Sequence, residues 1–179
     1  MGGRALYYVI QVAPGMEEKT EVLIQKRVKS GLYERCFHPI RHVKKKFHGE
    51  WKEQYEKLLP GYVFIISDFI QELYLELRKV PLLTKLLGKD GEQFAALCEE
   101  EINWLERLMG SKTGESNEVG LSQVVAEQDA VMILSGPLKN MEGYIKKINL
   151  HKRIAEVEVN FMNRKTTLYL GIEIVGKKE

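Results

Sequence analysis

The chain has 179 residues, 44% of them hydrophobic and 29% charged, with a formal net charge of +2. This is an ordinary globular composition with room for one large domain or two small ones. No apolar run is long enough for a membrane-spanning helix, and Met1-Gly2-Gly3-Arg4 leads straight into a strand-like segment, not a signal peptide, so a cytoplasmic protein with no membrane partner is expected. Cys36 and Cys98 are too few and too isolated for a disulfide framework, no CxxC or paired-histidine spacing offers a metal site, and no cofactor is expected.

In chain order, Leu6 to Val12 is aromatic and β-branched and predicts a strand, which Ala13-Pro14-Gly15 ends. Met16 to Lys29 predicts a helix. Its Glu17, Glu18 and Glu21 come early and its Lys26, Arg27 and Lys29 late, which suits the helix dipole. Val22, Leu23 and Val28 supply the apolar spacing, and Ser30-Gly31 the stop. A second strand follows around Cys36 to Ile40, and strand, helix and strand together begin an α+β fold.

Arg41 to Lys57 is basic and aromatic, and His48-Gly49 is a plausible turn, so a protruding hairpin is expected. Lys44, Lys45 and Lys46 can meet phosphates, while Phe47 or Trp51 can stack on a base. An edge hairpin that uses lysine against aggregation explains the same residues equally well.

Leu58-Leu59-Pro60-Gly61-Tyr62-Val63-Phe64-Ile65-Ile66 has no polar alternation and predicts a central strand buried on both faces. Pro60 can only open it, and Gly61 lets the backbone pass close to something else. Asp68 then caps a helix to about Val80, with Ile70, Leu73, Tyr74 and Leu77 facing the sheet. Val80-Pro81 ends it ahead of a short strand towards Gly88. A last amphipathic helix is expected from about Glu92 to Met109, with Phe94, Leu97, Cys98, Ile102, Leu105 and Leu108 inward and Glu99-Glu100-Glu101 solvated.

Gly110 to Gln123 is small, polar and glycine-rich, which divides the chain into a domain over 1–110, a flexible linker over 111–123 and a domain over 124–179. In the tail, five short strands separated by turns, one of them at Gly171, imply a small closed β-barrel. From Val124 onward nine Lys and Arg face seven Asp and Glu. Lys139, Lys146, Lys147, His151, Lys152, Arg153, Arg164 and Lys165 fall in or beside turns, and turns at one end of a barrel can form a basic rim for RNA. Lysine placed in turns for solubility is the bland alternative.

Tyr7-Tyr8-Val9-Ile10-Gln11, Pro60-Gly61-Tyr62-Val63-Phe64 and Arg78-Lys79-Val80-Pro81 with Gly88 resemble, in order and spacing, the N-terminal domain (NGN) of NusG-type transcription elongation factors. Val131 to Leu134 followed by Gly136-Pro137-Leu138-Lys139-Asn140-Met141-Glu142-Gly143-Tyr144-Ile145 resembles their KOW motif, an SH3-like barrel. The resemblance implies a monomeric factor that docks on the clamp coiled coil of RNA polymerase through an exposed apolar groove. The matching positions are Tyr62 and Phe64, with Tyr8 and Val80 beside them. It also implies a KOW protein partner such as a ribosomal protein or termination factor, with Phe161 at the apolar contact position and Asn160, Met162 and Asn163 departing from the housekeeping pattern. The hairpin Lys44-Lys45-Lys46-Phe47-His48, the turn His151-Lys152-Arg153 and Arg164-Lys165 most resemble the LoaP group of antiterminators, which implies that the KOW domain grips an RNA hairpin in the nascent leader.

Catalysis is the competing class, and it has little to stand on. Cys36, His38 and His42 offer a thiol and imidazoles but no orienting group or oxyanion site, and no phosphate-cradling glycine loop precedes a helix. The sequence reads as non-enzymatic.

Overall fold

In the computed structural model, residues 6–80, 82–83, 94–110 and 116–177 are described. Strands β1 (Leu6–Gln11), β2 (Arg35–Phe37), β5 (Tyr62–Ser67) and β6 (Phe94–Ala96) form one sheet, in the order β2-β5-β1-β6. Its neighbours run antiparallel. The hairpin strands β3 (Ile40–Phe47) and β4 (Glu50–Lys57) form a second sheet with the two-residue β7 (Glu118–Val119). Strands β8 (Ser122–Glu127), β9 (Ala130–Ser135), β10 (Ile145–Asn149), β11 (Ile154–Phe161) and β12 (Arg164–Lys177) make a five-stranded, barrel-like sheet in the order β10-β11-β12-β8-β9. The helices are α1 (Glu17–Arg27), α2 (Ile70–Arg78) and α3 (Glu99–Met109). The chain forms two compact units, one from residues up to His38 with Leu59–Glu99, the other from Pro39–Leu58 with Glu100–Glu179. This grouping cuts across the sequence partition, since the hairpin and α3 count with the tail.

The first unit is built on β5, whose residues after Tyr62 are all buried, as the unbroken apolar run requires. Gly61 has φ +88, and a Cβ there would meet the Val12 carbonyl oxygen at 3.0 Å. The close pass expected of this glycine is therefore made against the end of β1, where the Val12 N–H also donates to the Gly61 carbonyl at 2.8 Å. Ile10, Val63 and Ile65 pack with Ile24 and Val28 of the α1 segment and Leu73 and Leu77 of α2. On α1 the inward positions are Thr20 and Ile24, whereas Val22 is 43% exposed. The helix starts without a side-chain cap, and the Glu17 carboxylate instead accepts the Gly15 N–H at 2.7 Å.

Two expected caps and boundaries shift. Asp68 does not cap α2: Phe69 stands at the N-cap, the helix starts without a side-chain cap, and Ser67 Oγ accepts the Phe69 N–H just ahead of it at 2.9 Å. The last helix begins at Glu99, not near Glu92. Phe94–Ala96 pairs with Tyr8, Val9 and Ile10 instead, since the open edge of β1 satisfies its backbone groups. The strand expected near Gly88 lies outside the described residues.

The second unit begins with the hairpin, where His48 at φ +49 and Gly49 at φ +85 form the two-residue turn that suits twisted strands. Part of the segment read as linker is ordered: Glu118 and Val119 pair in parallel with Ile40 and Arg41, and Ser122 is already buried in β8. Along β11, Ala155, Val157, Val159 and Phe161 are buried while Glu156 and Glu158 alternate outward, as expected. Gly171 makes no turn and lies inside the continuous β12. A Cβ there would come within 2.2 Å of the His42 carbonyl oxygen, so its lack of a side chain admits β3. Glu101 is not solvated either; it is 7% exposed, and its Oε2 accepts the Met162 N–H at 3.0 Å.

Candidate nucleic-acid interface

The hairpin and the β10–β11 turn, two basic segments far apart in sequence, line one cleft of about 840 Å³. Lys44, Lys45, Lys46 and Trp51 contribute from the hairpin. His151, Lys152 and Arg153 contribute from the turn, and Ala126, Ile154 and Ile174 add apolar lining. Glu173 stands at its edge, in a smaller adjoining pocket that shares Lys44, Trp51, Arg153 and Ile174.

The charges here are unequally compensated. Lys45 Nζ lies 2.6 Å from Glu56 Oε2, and Lys44 Nζ lies 3.7 Å from Glu173. The Lys45 hydrogen bond, with Arg41 nearby, holds the Glu56 carboxyl below its ordinary value. Lys46 and Arg153 flank Trp51 instead: Lys46 Nζ is 6.0 Å from the ring centroid and Arg153 Cζ 4.9 Å. Among the described residues Arg153 Nη1 is buried without a hydrogen-bond partner.

The turn itself is tightly specified. Asn149 Oδ1 accepts the Lys152 N–H at 2.9 Å, and the Arg153 carbonyl accepts the Ile172 N–H at 3.0 Å. Arg153 sits at φ +58, a left-handed conformation that non-glycine residues rarely hold.

The other expected RNA contacts do not join this cleft. Arg164 and Lys165 stand past the far end of β11, an eight-residue strand, so roughly 23 Å separates the two turns at about 3.3 Å per residue. The tail's cations therefore do not form a single basic rim. Lys146 lies 3.9 Å from Glu158, and Lys139 Nζ donates to the Ile133 carbonyl at 3.2 Å. Lys147 is exposed, and Phe47, beside the hairpin turn, is 43% exposed.

The expected polymerase groove is not assembled as one open surface. Directly paired residues on antiparallel strands share a face. Tyr62 and Phe64 pair with Gln11 and Val9, whereas Tyr8 pairs with Ile65 on the helix-covered side. Tyr8 stacks on Phe94 at 5.6 Å, Val80 packs against the same helix-covered core, and Phe64 is fully buried against Phe37 at 5.7 Å. Phe161, expected as an apolar partner contact, is 2% exposed and meets Trp104 edge-on.

The residues offered for catalysis are engaged elsewhere. His38 Nδ1 lies 2.5 Å from Glu21, and His42 bridges Glu53 and Glu118 at 2.7 and 3.1 Å. Burial, reinforced by Glu21, pushes the Cys36 thiol far up, away from a nucleophilic thiolate. Among the described residues no cluster of His, Cys, Asp or Glu fits a metal ion, and no helix is long and apolar enough to cross a membrane.

A family model described as transcription termination factor nusG matches residues 5–106, more than half of the chain, and the chain belongs to the NusG family. It is 27% identical over 177 residues to the transcription termination/antitermination protein NusG of Halalkalibacterium halodurans, covering 96% of this chain and 97% of that one. It is 28% identical over 184 residues to the protein of the same name from Thermus thermophilus, at 96% and 97% coverage. A solved structure described as "Domain interaction in Thermotoga maritima NusG" superposes with a TM-score of 0.55 at 27% identity, covering 94% of each chain. The family model and both relatives carry names of transcription termination or antitermination factors.

Sequence reasoning found both halves of the cleft but not their meeting. The signal was present in Gly171, a glycine inside a β-branched run, which marks a place where another backbone comes close.

Proposed function

We propose that this protein is a processive antitermination factor of the LoaP type, acting through RNA polymerase and a hairpin in the nascent transcript. In this reading residues 1–110 dock on the polymerase clamp coiled coil and residues 124–179 hold RNA, with 111–123 between them. The sheet face carrying Tyr62 is the polymerase side, with Phe64, fully buried against Phe37, packed beneath it and not itself a contact. Tyr8 and Val80, on the helix-covered side, shape that sheet and do not touch the partner.

The observation that carries the RNA assignment is the turn His151-Lys152-Arg153, whose two cations make no ion pair among the described residues, whereas Lys44 and Lys45 of the same cleft are compensated by Glu173 and Glu56. Polyanion binding by such a site is driven by counterion release and depends steeply on salt. The alternative, a general NusG-type factor whose KOW domain holds a ribosomal protein or a termination factor, rests on Phe161. That side chain is covered by Trp104, which leaves the alternative with less support.

The test is a titration of the full chain at several salt concentrations against a structured leader RNA, its unpaired scramble and a DNA duplex of the stem sequence. Submicromolar binding that prefers the RNA hairpin at physiological salt, and that falls for Lys152→Ala/Arg153→Ala, supports the reading. Weak binding to all three that vanishes uniformly with salt overturns it in favour of a protein partner.

A further inference from the structure

We infer that Trp51 and Arg153 form a single composite subsite for an unpaired RNA nucleotide, so that the β3–β4 hairpin and the β10–β11 turn read the loop of an RNA hairpin together. The inference rests on the proposed RNA-binding role and adds to it the ligand class and the residues that recognise it.

Three observations converge. The Arg153 guanidinium stands 4.9 Å from the Trp51 ring centroid, with Lys46 Nζ 6.0 Å from the same ring. One Arg153 nitrogen is buried with no acceptor among the described residues, a state that costs free energy unless a ligand supplies one. The backbone at Arg153 is held left-handed at φ +58, a conformation that glycine would adopt more easily. Strain of this kind at a residue with an unmet donor points to a site shaped for something outside the chain.

The chemistry of the cleft selects the occupant. Its volume of about 840 Å³ admits a nucleotide, and its lining joins the apolar Ala126 and Ile174 to Lys46, Lys152 and Arg153, which make no ion pair among the described residues. A base needs an apolar or aromatic platform, and its phosphate needs cations. A blunt duplex offers only phosphates, because stacked bases cannot reach Trp51, whereas a hairpin loop offers both. An acidic protein segment would use the cations but leave the indole without a role.

The experiment measures binding of the full chain to four labelled probes at physiological salt: a stem with an open loop, the same stem as a blunt RNA duplex, the loop as linear RNA, and the linear loop as DNA. Trp51→Ala is expected to weaken the open-loop RNA about tenfold, the loss of one base stack, and to leave the blunt duplex unchanged. Trp51→Phe keeps most of the affinity. Arg153→Gly removes the guanidinium while relieving the left-handed backbone, so it folds at least as well as the parent and still loses open-loop binding. Combining Trp51→Ala with Arg153→Gly costs less than the product of the two single effects if they serve one subsite.

Wild-type affinity of Trp51→Ala for the open loop, with binding still lost in Lys152→Ala, overturns the composite subsite and leaves the turn as an RNA contact on its own. Multiplicative single effects likewise overturn it. Equal binding of linear RNA and DNA overturns the commitment to RNA. Absence of binding to every probe by the parent chain overturns the proposed function itself, and this inference with it.

Discussion

Trp104 meets Phe161 edge to face, with ring centroids 6.0 Å apart and planes at 76°. The indole N–H donates to the carbonyl of Asn160 at 3.2 Å, so one side chain of α3 both covers β11 and satisfies its backbone. Each residue is 2% exposed. Trp104→Ala is expected to lower stability by about 3–5 kcal/mol, the usual cost of emptying an aromatic site. Trp104→Phe keeps most of the apolar contact and loses roughly 1 kcal/mol with the hydrogen bond. Urea denaturation followed by circular dichroism measures both, and an unchanged midpoint for Trp104→Ala would show that this packing does not form in solution.

Gly171 controls how closely β3 and β12 approach. A methyl group there would collide with the His42 carbonyl at 2.2 Å and with Val43 Cα at 2.8 Å, and both obstacles are backbone atoms. Gly171→Ala is therefore expected to force the strands apart and cost about 1–3 kcal/mol or more, in the range of an overpacked core. Amide exchange resolves the effect: protection should fall along Ile40–Phe47 and around Gly171 while the Leu6–Gln11 strand keeps its own. Protection lost evenly over the whole chain would contradict a local collision.

How much of this was legible in the sequence follows from how local each cause is. The β5 run, the His48-Gly49 turn and the alternation along β11 are each set by residue types a few positions apart, and all stand where the sequence placed them. Phe94–Ala96 misled because its apolar residues suit a helix face, whereas the edge of β1, distant in sequence, holds it as a strand. Glu101 misled for a related reason, since its acceptor role depends on the Met162 amide. The same limit applies to the cleft. Each basic segment was visible alone, but the approach of Arg153 to Trp51 depends on tertiary packing that no local spacing encodes.

Glu56 supplies a pH test of the hairpin. Its carboxylate takes Lys45 at 2.6 Å and Arg41 at 3.0 Å, and its pKa is lowered in the fold, chiefly by the Lys45 hydrogen bond. A carboxyl with a depressed folded pKa contributes stability that is complete above its ordinary value of 4.5 and is lost as pH falls through the folded value. The pair is partly exposed, so Glu56→Gln should cost under about 1 kcal/mol at neutral pH. The gap between parent and variant should close as the medium is acidified below the ordinary carboxylate range. A gap that persists unchanged in acid would mean that the substitution acts through packing and not through charge.

The two cysteines should respond oppositely to a thiol reagent. Cys98 is exposed, whereas Cys36 packs against the helix-covered core of the first unit, and burial there pushes its thiol pKa far above the ordinary range. Since the thiolate is the reactive form, the folded chain should take up one equivalent of an aromatic disulfide reagent near neutral pH, at Cys98, and a second only in denaturant. Cys98→Ser should abolish the first phase and leave the second. Cys36→Ser should leave the fast phase unchanged and cost about 1–3 kcal/mol, because it places a hydroxyl against the apolar core. Rapid modification of Cys36 in the native chain would instead show that the α1–β2 packing opens locally, and the rate of that phase against denaturant would give the free energy of the opening.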